Sequence, residues 1–398
     1  MNINFRVDQI LPSFGSYDAI GTETKIIQQA IREKGIQSDI YTEQGIDSRY
    51  CKPMTEFFKQ KSSSKDILIH HFSIGSLVPY YLMNFRGRVI TRYHNITPPH
   101  FFKYDSNRFS RCRCAQGRNQ FSTVRQFSPV CWAASSYNLE EMKHLNFEST
   151  SVLPVLRDYN QLFQREPCSK TIGHLKKTTK KTILFVGRVI PNKAHHDLFF
   201  LLKQYLTYVD KNIRLICIGA VDSHYGKKLL KNLAHSLNIS VSFDSSGINY
   251  ADVTFTGPVS DAELVSYYRE SDAFVCLSDH EGFCVPLVEA MNFGLPILAH
   301  PSAAVPETLG NAGILSDKTD PVDLIEKLHL ILSDQKESER LKRLSLLRAQ
   351  DFSIDKTLIK LSDLLKEQID FSLKHDVPCF LPNHDPSVHS YKHPLNVN

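Results

Sequence analysis

The stretch from Leu277 to Ala299, reading LSDHEGFCVPLVEAMNFGLPILA, constrains the fold of this 398-residue chain more than any other. It begins at the end of an apolar run, Ala273 to Leu277, that is typical of a buried strand. A turn-like SDHEGF follows, then an amphipathic segment over Val285 to Asn292 and a second apolar run over Ile297 to Ala299. Strand, loop, helix and strand in this order predict the crossover unit of a parallel sheet. Ligands of such sheets bind at the carboxyl ends of the strands, beside helix N-termini.

Two glutamates, Glu281 and Glu289, lie eight positions apart in this unit. Because a helix rises about 1.5 Å per residue, both can face one cleft at a separation of about 10 Å. This separation is too wide for the carboxylate pair of a retaining glycosidase, and it suits contacts to two ends of one extended ligand. On charge spacing alone, two solvated glutamates are an equally good interpretation. Between them, the amides of Gly282, Phe283 and Cys284 precede a helix, where the dipole favours an anion.

A second strand and turn, Phe185 to Lys193, carries two cations five positions apart, Arg188 and Lys193. Dispersed positive charge of this kind suits a diphosphate, because arginine grips two oxygens at once and lysine acts as a mobile point charge. Taken alone, the stretch is more typical of an ordinary basic surface turn. Its position upstream of the two-glutamate unit favours the diphosphate site.

The two-glutamate unit resembles the E-x7-E motif of retaining GT-B glycosyltransferases of family GT4, the glycosyl transferases group 1. The spacing, the GF-x-x-P interior, the EAM triplet and the G-x-P-x-x-A tail carry this resemblance together. It implies that Glu281 accepts a hydrogen bond from a hydroxyl of the donor sugar, beside the three loop amides. It also implies that Glu289 accepts from the ribose hydroxyls of the donor.

The same resemblance extends to the G-R-x-x-x-x-K pattern formed by Gly187, Arg188 and Lys193. In the family, this pattern binds the donor diphosphate, and the main chain at the position of Val259 meets the nucleotide base. Gly15 follows the first strand, where the family uses a glycine so that the main chain can approach the phosphates. The chain departs from the family here, since PSFGSYDAIG stands in place of the common double glycine.

In the first half of the chain, His94 and Asn95 follow a strand and are expected to face the cleft. The resemblance implies that His94 contacts and orients the transferred sugar, and that Asn95 lies on the acceptor side. For His94 alone, a hydrogen-bonded structural histidine is the more usual interpretation. Arg111 and Arg113 belong to a run of four arginines that is expected to dock the acceptor or an anionic membrane. A solvated basic face is the more usual interpretation of such a run.

Alternating strands and helices predict an α/β fold with doubly wound sheets, and a length of 398 residues favours two domains. The resemblance implies the GT-B architecture, in which two Rossmann-like parallel-sheet domains face a central cleft. We predict an N-terminal acceptor-side domain over 1–156 and a lysine-rich linker over 157–181. A nucleotide-sugar domain is expected over 182–350, a helix crossing back to the first domain over 351–373, and an irregular tail over 374–398.

Composition narrows the function further. A net charge of +5 is too small to argue for nucleic-acid binding, and it is compatible with an anionic small ligand or membrane surface. Nine scattered cysteines indicate reduced thiols and a cytoplasmic location. No apolar run approaches the roughly 20 residues of a membrane span, so membrane contact is expected to be peripheral, on the inner face. No D-x-D triplet follows a strand, so no metal or other cofactor is expected, and Arg188 and Lys193 take over the work of Mg²⁺.

The expected reaction is transfer of a hexose, of mannose or glucose type, from a nucleotide-diphospho-sugar to a glycan or lipid-linked oligosaccharide. HNITPPHFF and SYDAIG resemble transferases of bacterial surface polysaccharides, such as O-antigen or capsule. The base, the sugar, the acceptor and the oligomeric state stay open. One alternative is a nucleotide-sugar epimerase of the same architecture, although the chain lacks an evident acid–base set for it. The other is an inactive nucleotide-sugar-binding scaffold, against which the intact motif residues argue.

Overall fold

The computed structural model describes residues 5–15, 18–103 and 108–375. In this part of the chain the first sheet contains seven strands: β1 (Val7–Ser13), β2 (Ile40–Gln44), β3 (Lys52–Pro53), β4 (Ile67–Phe72), β5 (Arg88–Tyr93), β6 (Val130–Ala133) and β7 (Ser149–Val152). Their order is β3-β2-β1-β4-β5-β6-β7, and all pairs are parallel. The winding reverses between β1 and β4, which places a ligand crevice at the carboxyl ends of these strands.

The second sheet repeats this plan with β8 (Lys181–Val186), β9 (Ile213–Ile218), β10 (Val241–Ser242), β11 (Val253–Gly257), β12 (Ala273–Cys276), β13 (Ile297–Ala299) and β14 (Ile314–Leu315). The order is β10-β11-β9-β8-β12-β13-β14, again with parallel pairs throughout. Its winding reverses between β8 and β12. The predicted α/β architecture of two doubly wound parallel sheets is therefore confirmed.

Sixteen α-helices lie in the described residues. They are α1 (Ala19–Glu33), α2 (Met54–Lys59), α3 (Val78–Tyr81), α4 (Arg108–Asn119), α5 (Phe121–Phe127), α6 (Ser136–Lys143), α7 (Tyr159–Phe163), α8 (Ser169–Leu175), α9 (His195–Tyr208), α10 (Lys231–Ser236), α11 (Asp261–Glu270), α12 (Val285–Asn292), α13 (Val305–Leu309), α14 (Pro321–Ser333), α15 (Gln335–Ala349) and α16 (Ile354–Lys374). Short 3₁₀ turns occur at Leu82–Asn84, Pro99–Phe101, Pro191–Lys193, Ser245–Asn249 and Gln350–Phe352, and a π-helical turn at Tyr225–Leu230. Within the described residues, no helix is both long and apolar enough to cross a membrane.

Local signals place several helices as the sequence predicts. The side chain of Asp18 caps α1 by accepting a hydrogen bond from the amide of Gly21 at 2.6 Å. The expected break near residue 352 separates α15 from α16. The first strand is a correction, because the pattern indicates residues 3–7 whereas β1 spans Val7–Ser13. Pro12 lies near the end of β1, beyond the last pair with β4, so its missing N–H disturbs little of the ladder.

Two further segments differ from a simple linker and tail. The lysine-rich stretch 157–181 forms α7 and α8, and the amide of Cys168 donates to the carbonyl of Ala262 at 3.1 Å, tying α8 to α11. The last helix, α16, packs on α1: Leu361 shares an apolar cluster with Ile27, and the Lys34 ammonium donates to the Ser362 hydroxyl at 2.8 Å. The exact domain boundaries stay predictions, and the tail beyond residue 375 lies outside the described residues.

Candidate active site

The second sheet presents its candidate residues where β8 and β12 end side by side. Lys193 lies in the 3₁₀ turn after β8, and its ammonium contacts a carboxylate oxygen of Glu281 at 2.6 Å. The two loops are also joined through Asn192, whose carbonyl accepts from the amide of Asp279 at 2.9 Å and whose side-chain amide donates to the carbonyl of His280 at 3.2 Å. The winding reversal thus brings the two motifs of the sequence into one corner.

The Lys193–Glu281 pair is shielded from water, with side chains 19% and 7% exposed. Burial alone disfavours the ammonium, but the neighbouring Glu281 carboxylate and nearby thiols outweigh it and raise the pKa of Lys193 above its ordinary value. Lys193 therefore carries a full positive charge at neutral pH. A cation held this way can act on a ligand charge without reorganising.

Arg188 follows Gly187 at the end of β8 and is exposed. Among the residues that the structure describes, none forms a hydrogen bond or ion pair with its guanidinium. Its charge acts across to the first sheet's domain: burial raises the pKa of Asp18, and the Arg188 guanidinium opposes this shift. Arg188 and Asp18 therefore lie close enough to interact electrostatically. Gly15 lies beside them, where a Cβ would stand 2.4 Å from a carboxylate oxygen of Asp18, so only glycine fits without a shift.

The loop before α12 presents free backbone donors. In the described part of the chain, no group accepts a hydrogen bond from the amides of Gly282, Phe283 or Cys284. Their carbonyls and neighbours are held instead: the carbonyl of Gly282 accepts from the hydroxyl of Ser135 at 2.7 Å, and that of Phe283 accepts from the hydroxyl of Thr308 at 2.7 Å. Three unpaired amides at the start of a helix form an anion-binding concavity.

The two domains meet at Gly282. A Cβ on this residue would lie 2.5 Å from the Cβ of Asn95 and 2.8 Å from the carbonyl oxygen of His94. Beside it, the His280 Nε2 donates to the Asn95 side-chain oxygen at 2.7 Å, since the Asn95 amide nitrogen itself donates to Asn138 at 2.8 Å. Burial lowers the pKa of His280, so its ring is neutral here at neutral pH. The role of Asn95 on the acceptor side stays a prediction, and the sequence gives no sign of His280 as its hydrogen-bond partner.

Glu289 lies deeper than Glu281 and is enclosed by protein donors. One carboxylate oxygen accepts from the Arg157 guanidinium at 2.6 Å, and the other accepts from the Tyr268 hydroxyl at 2.8 Å. The carboxylate raises the pKa of Arg157, so the guanidinium stays charged beside Glu289. Each oxygen retains a lone pair for a further donor. Contact with a ribose stays a prediction, and Arg157 is a residue that the sequence pattern does not reveal, because it opens a stretch that resembles a linker.

The ring of His94 points into the first domain. Its Nε2 lies 2.9 Å from Nδ1 of His71, and its Nδ1 lies 3.4 Å from a carboxylate oxygen of Glu23. Burial first, and then the charge of Arg92, hold the pKa of both histidines well below the ordinary value. Because both ring nitrogens face internal groups, sugar contact by His94 stays a prediction, and its main chain is the part that faces Gly282.

The hydrogen-bond donors can be assigned along the buried series of side chains from Gln9 through His71 and His94 to Glu23. The Gln9 amide nitrogen donates to Thr24 at 3.0 Å, so its oxygen accepts from Nε2 of His71, also at 3.0 Å. A neutral His71 then accepts at Nδ1 from His94 Nε2, which leaves His94 Nδ1 as a lone pair facing Glu23.

The remaining predicted site residues, Arg111, Arg113 and Val259, do not lie together at one place. Arg111 is exposed on α4, whereas the guanidinium of Arg113 lies 3.5 Å from a carboxylate oxygen of Glu43 and is only 16% exposed. The two arginines therefore do not form one free basic face. Val259 is partly buried against the apolar cluster beneath α12, after the glycine turn at Gly257, whose φ is +74°.

Residues 170–345 match the family model described as Glycosyl transferases group 1. This part of the chain, less than half of its 398 residues, is similar to the glycosyl transferases group 1 family. The chain is 28% identical over 191 residues to a D-inositol 3-phosphate glycosyltransferase of Corynebacterium efficiens, covering 47% of the chain and 43% of the relative. It is 36% identical over 88 residues to an O-antigen chain mannosyltransferase B of Escherichia coli, covering 22% of the chain and 23% of the relative. The chain thus spans about half or less of the curated relatives it matches.

Solved structures extend the likeness to both domains of the fold. A sucrose-phosphate synthase from Thermosynechococcus elongatus superposes with a TM-score of 0.71 at 15% identity, covering 92% of the chain and 100% of that structure. Anabaena Alr3699/HepE in complex with UDP-glucose gives a TM-score of 0.67 at 15% identity, covering 91% and 99%. At this identity the likeness establishes the fold, which is the GT-B arrangement that the glycosyltransferase motif implies.

Among the described residues, two groups of side chains near the candidate site have metal-ligating chemistry: Glu23, His71 and His94, and Cys276, Glu281 and Cys284. In the first group, Glu23 and His71 approach opposite nitrogens of the His94 ring, which point away from each other. In the second group, Glu281 is already held by Lys193.

Proposed function

We propose that this chain is a glycosyltransferase that moves a hexose from a nucleotide-diphospho-sugar to a glycan or lipid-linked acceptor, with retention of configuration. One observation carries the proposal. Among the described residues, a guanidinium without a partner (Arg188), a shielded Lys193–Glu281 pair and three unpaired helix-end amides converge at the winding reversal of the second sheet, opposite the first domain. This set neutralises a diphosphate and positions a sugar beside it.

The donor diphosphate is assigned to Arg188, Lys193 and the amides before α12. Arg188 is the mobile, exposed cation and can grip two phosphate oxygens. Lys193 is the fixed cation, raised in pKa and held in place by its carboxylate partner. The amides donate to the leaving phosphate as negative charge develops on it.

Glu281 is assigned to the donor sugar and Glu289 to the ribose. Glu281 keeps one oxygen free of Lys193, and that oxygen can accept from a sugar hydroxyl. Glu289 is positioned by Arg157 and Tyr268, which contact its two oxygens and fix the orientation of its carboxylate. A carboxylate with one free lone pair on each oxygen matches a vicinal diol.

We assign catalysis without a divalent cation, because two fixed or mobile side-chain cations and the helix-end amides supply the charge that Mg²⁺ supplies elsewhere. In the front-face route to retention, the leaving phosphate takes the acceptor proton. Negative charge on the leaving diphosphate is then stabilised by Arg188, Lys193 and the loop amides. Activity should accordingly persist in excess chelator.

The acceptor is assigned to the first domain, at the wall formed by Asn95 and the α4 helix. Phe109 on α4 is 70% exposed, and Arg111 beside it is exposed and basic. An exposed aromatic ring with cations suits a glycan carrying a lipid diphosphate or its membrane. The O-antigen mannosyltransferase among the similar proteins supports a mannose-type donor and a role in polysaccharide synthesis.

Binding of nucleotide sugars to the full chain tests the assignment directly. Uridine and guanosine diphosphates and their glucose and mannose derivatives are compared by thermal shift, and a ligand at 100 times its Kd adds about 2.7 kcal/mol of stability. Arg188→Ala should abolish the shift. Lys211→Ala, which removes an exposed cation just before β9 and so at the opposite end of the sheet, should preserve it. Retention of the shift in Arg188→Ala would refute the diphosphate assignment.

A further inference from the structure

Two thiols face each other beneath the donor corner. Cys276 is the last residue of β12 and Cys284 directly precedes α12, and their Sγ atoms lie 4.0 Å apart. Both residues are buried, at 1% and 6% exposure. They bracket the loop that carries Glu281 and the three unpaired amides, so a bond between them would span that loop.

Cys284 occupies a backbone conformation that disfavours a side chain. Its φ is +67°, in the left-handed region that glycine adopts without strain. The chain places glycine at comparable positions, such as Gly257 at φ +74° and Gly294 at φ +61°. Cys284 therefore carries a side chain at a position where the backbone conformation favours glycine, and its thiol faces the thiol of Cys276.

We propose that Cys276 and Cys284 form a reversible disulfide that switches off donor binding. The oxidant is a small-molecule disulfide, RSSR. One cysteine thiolate attacks RSSR, releases RS⁻ and forms a mixed disulfide; the other thiolate then attacks the protein sulfur and releases the second RS⁻. The protein gives up two protons and two electrons, and RSSR becomes two molecules of RSH.

The surroundings suit this exchange. The Lys193 ammonium lies close enough to both thiols to interact with them electrostatically, and a nearby cation stabilises the attacking thiolate. The hydrogen bond with Cys284, and a further contact with the Ser278 hydroxyl at 3.5 Å, lower the pKa of Cys276, which is therefore the attacking thiol. The hydrogen bond with Cys276 and burial raise the pKa of Cys284, so Cys284 completes the exchange.

The proposed effect on binding follows from the geometry and rests on the proposed function. A disulfide bond of about 2.05 Å requires the two sulfurs to approach by about 2 Å from their 4.0 Å separation. This movement draws the start of α12 toward the end of β12. The amides of the loop and the Glu281 carboxylate, which touches Lys193 at 2.6 Å, then leave the positions that meet the donor.

The chemical test uses the full chain and needs no knowledge of the substrate. Protein is treated with hydroxyethyl disulfide, alkylated and digested with trypsin. The peptide spanning 270–318 contains no internal Lys or Arg and no cysteine besides these two. The proposal expects this peptide to be two hydrogen atoms lighter and unalkylated, and to return to the dialkylated form after dithiothreitol. If the peptide is still dialkylated after treatment with the oxidant, the disulfide proposal is wrong. The proposal is also wrong if the two thiols resist alkylation only when Zn²⁺ is added to reduced protein, because the pair would then be a metal site.

The functional arm measures the thermal shift given by a nucleoside diphosphate. Reduced protein should show the shift, oxidised protein should lose it, and Cys276→Ser should keep it after oxidation; Cys276→Ala serves if the serine variant fails to fold. Cys112→Ser, which removes an exposed thiol, is the control and should lose the shift on oxidation as the unmodified chain does. A disulfide that forms without changing the shift refutes the switch. If reduced protein binds no nucleotide, the proposed function fails, while the peptide mass still reports on the disulfide.

Discussion

Replacing Gly282 with alanine should separate domain closure from domain stability. The new Cβ would lie 2.5 Å from the Cβ of Asn95, against an ordinary contact of 3.4–4 Å, and 2.8 Å from the carbonyl oxygen of His94. Overpacking of this size costs about 1–3 kcal/mol where the surroundings cannot relax. Here the two sides belong to different domains, so the clash is relieved when the domains move apart. The penalty therefore falls on the closed arrangement and leaves the two cores intact.

The expected result is a loss of turnover of about 5- to 150-fold, which is the equivalent of 1–3 kcal/mol. Affinity for a nucleoside diphosphate, which is assigned to the second domain, should change by less than about threefold on the same scale. Gly173→Ala is the matched control, because a Cβ at this position in α8 meets nothing within 4 Å. Steady-state turnover with titration calorimetry measures both quantities. Equal turnover in the two variants would refute the contact between the domains.

Three further predictions concern charge. Glu23 and Arg92 form an ion pair at 2.7 Å with both side chains fully buried, so Glu23→Gln should lower the free energy of unfolding by about 3–5 kcal/mol, measured by denaturant unfolding. Adding Arg92→Met should recover part of this loss, whereas an additive loss would contradict the pairing. Burial raises the pKa of Asp8 to about 6 from 3.8, so protonation favours the folded state. Its contribution is full below pH 4 and is lost as the pH rises through 6; Asp8→Asn should flatten this dependence by about 2–3 kcal/mol between pH 4 and 8, and an unchanged profile would refute it. Arg111→Glu with Arg113→Glu should lower co-sedimentation with anionic liposomes, and unchanged sedimentation would remove the membrane proposal.

Elements with their own local signals are predictable from this sequence. The apolar period and the Asp18 cap place α1 at Ala19–Glu33, and the flanking loop and Gly294 place α12 at Val285–Asn292. The doubly wound plan follows from the alternation of such elements. The first strand is misplaced because Pro12 is a breaker in sequence, and only the pairing of β1 with its neighbours makes it harmless.

Partners at long sequence separation are not predictable in this way. Arg157 meets Glu289 because the segment after β7 folds under α12, and no pattern around either residue encodes this contact. His94, like Arg157, has a partner that the sequence does not reveal. Its position after β5 can be predicted from the sequence, but the direction of its ring depends on Glu23, which belongs to a helix from a distant part of the chain.

The position of the candidate site follows from the repetition of one topology. Each sheet reverses its winding once, between β1 and β4 and between β8 and β12. The candidate groups follow these strands: Gly15 comes after β1, Arg188 after β8 and Glu281 after β12. Parallel strands place all their carboxyl ends at one end of the sheet. Two such sheets whose carboxyl ends face each other therefore enclose these groups between them. Gly282, where the facing loops touch, is then also a position at which the structure leaves no room for a Cβ.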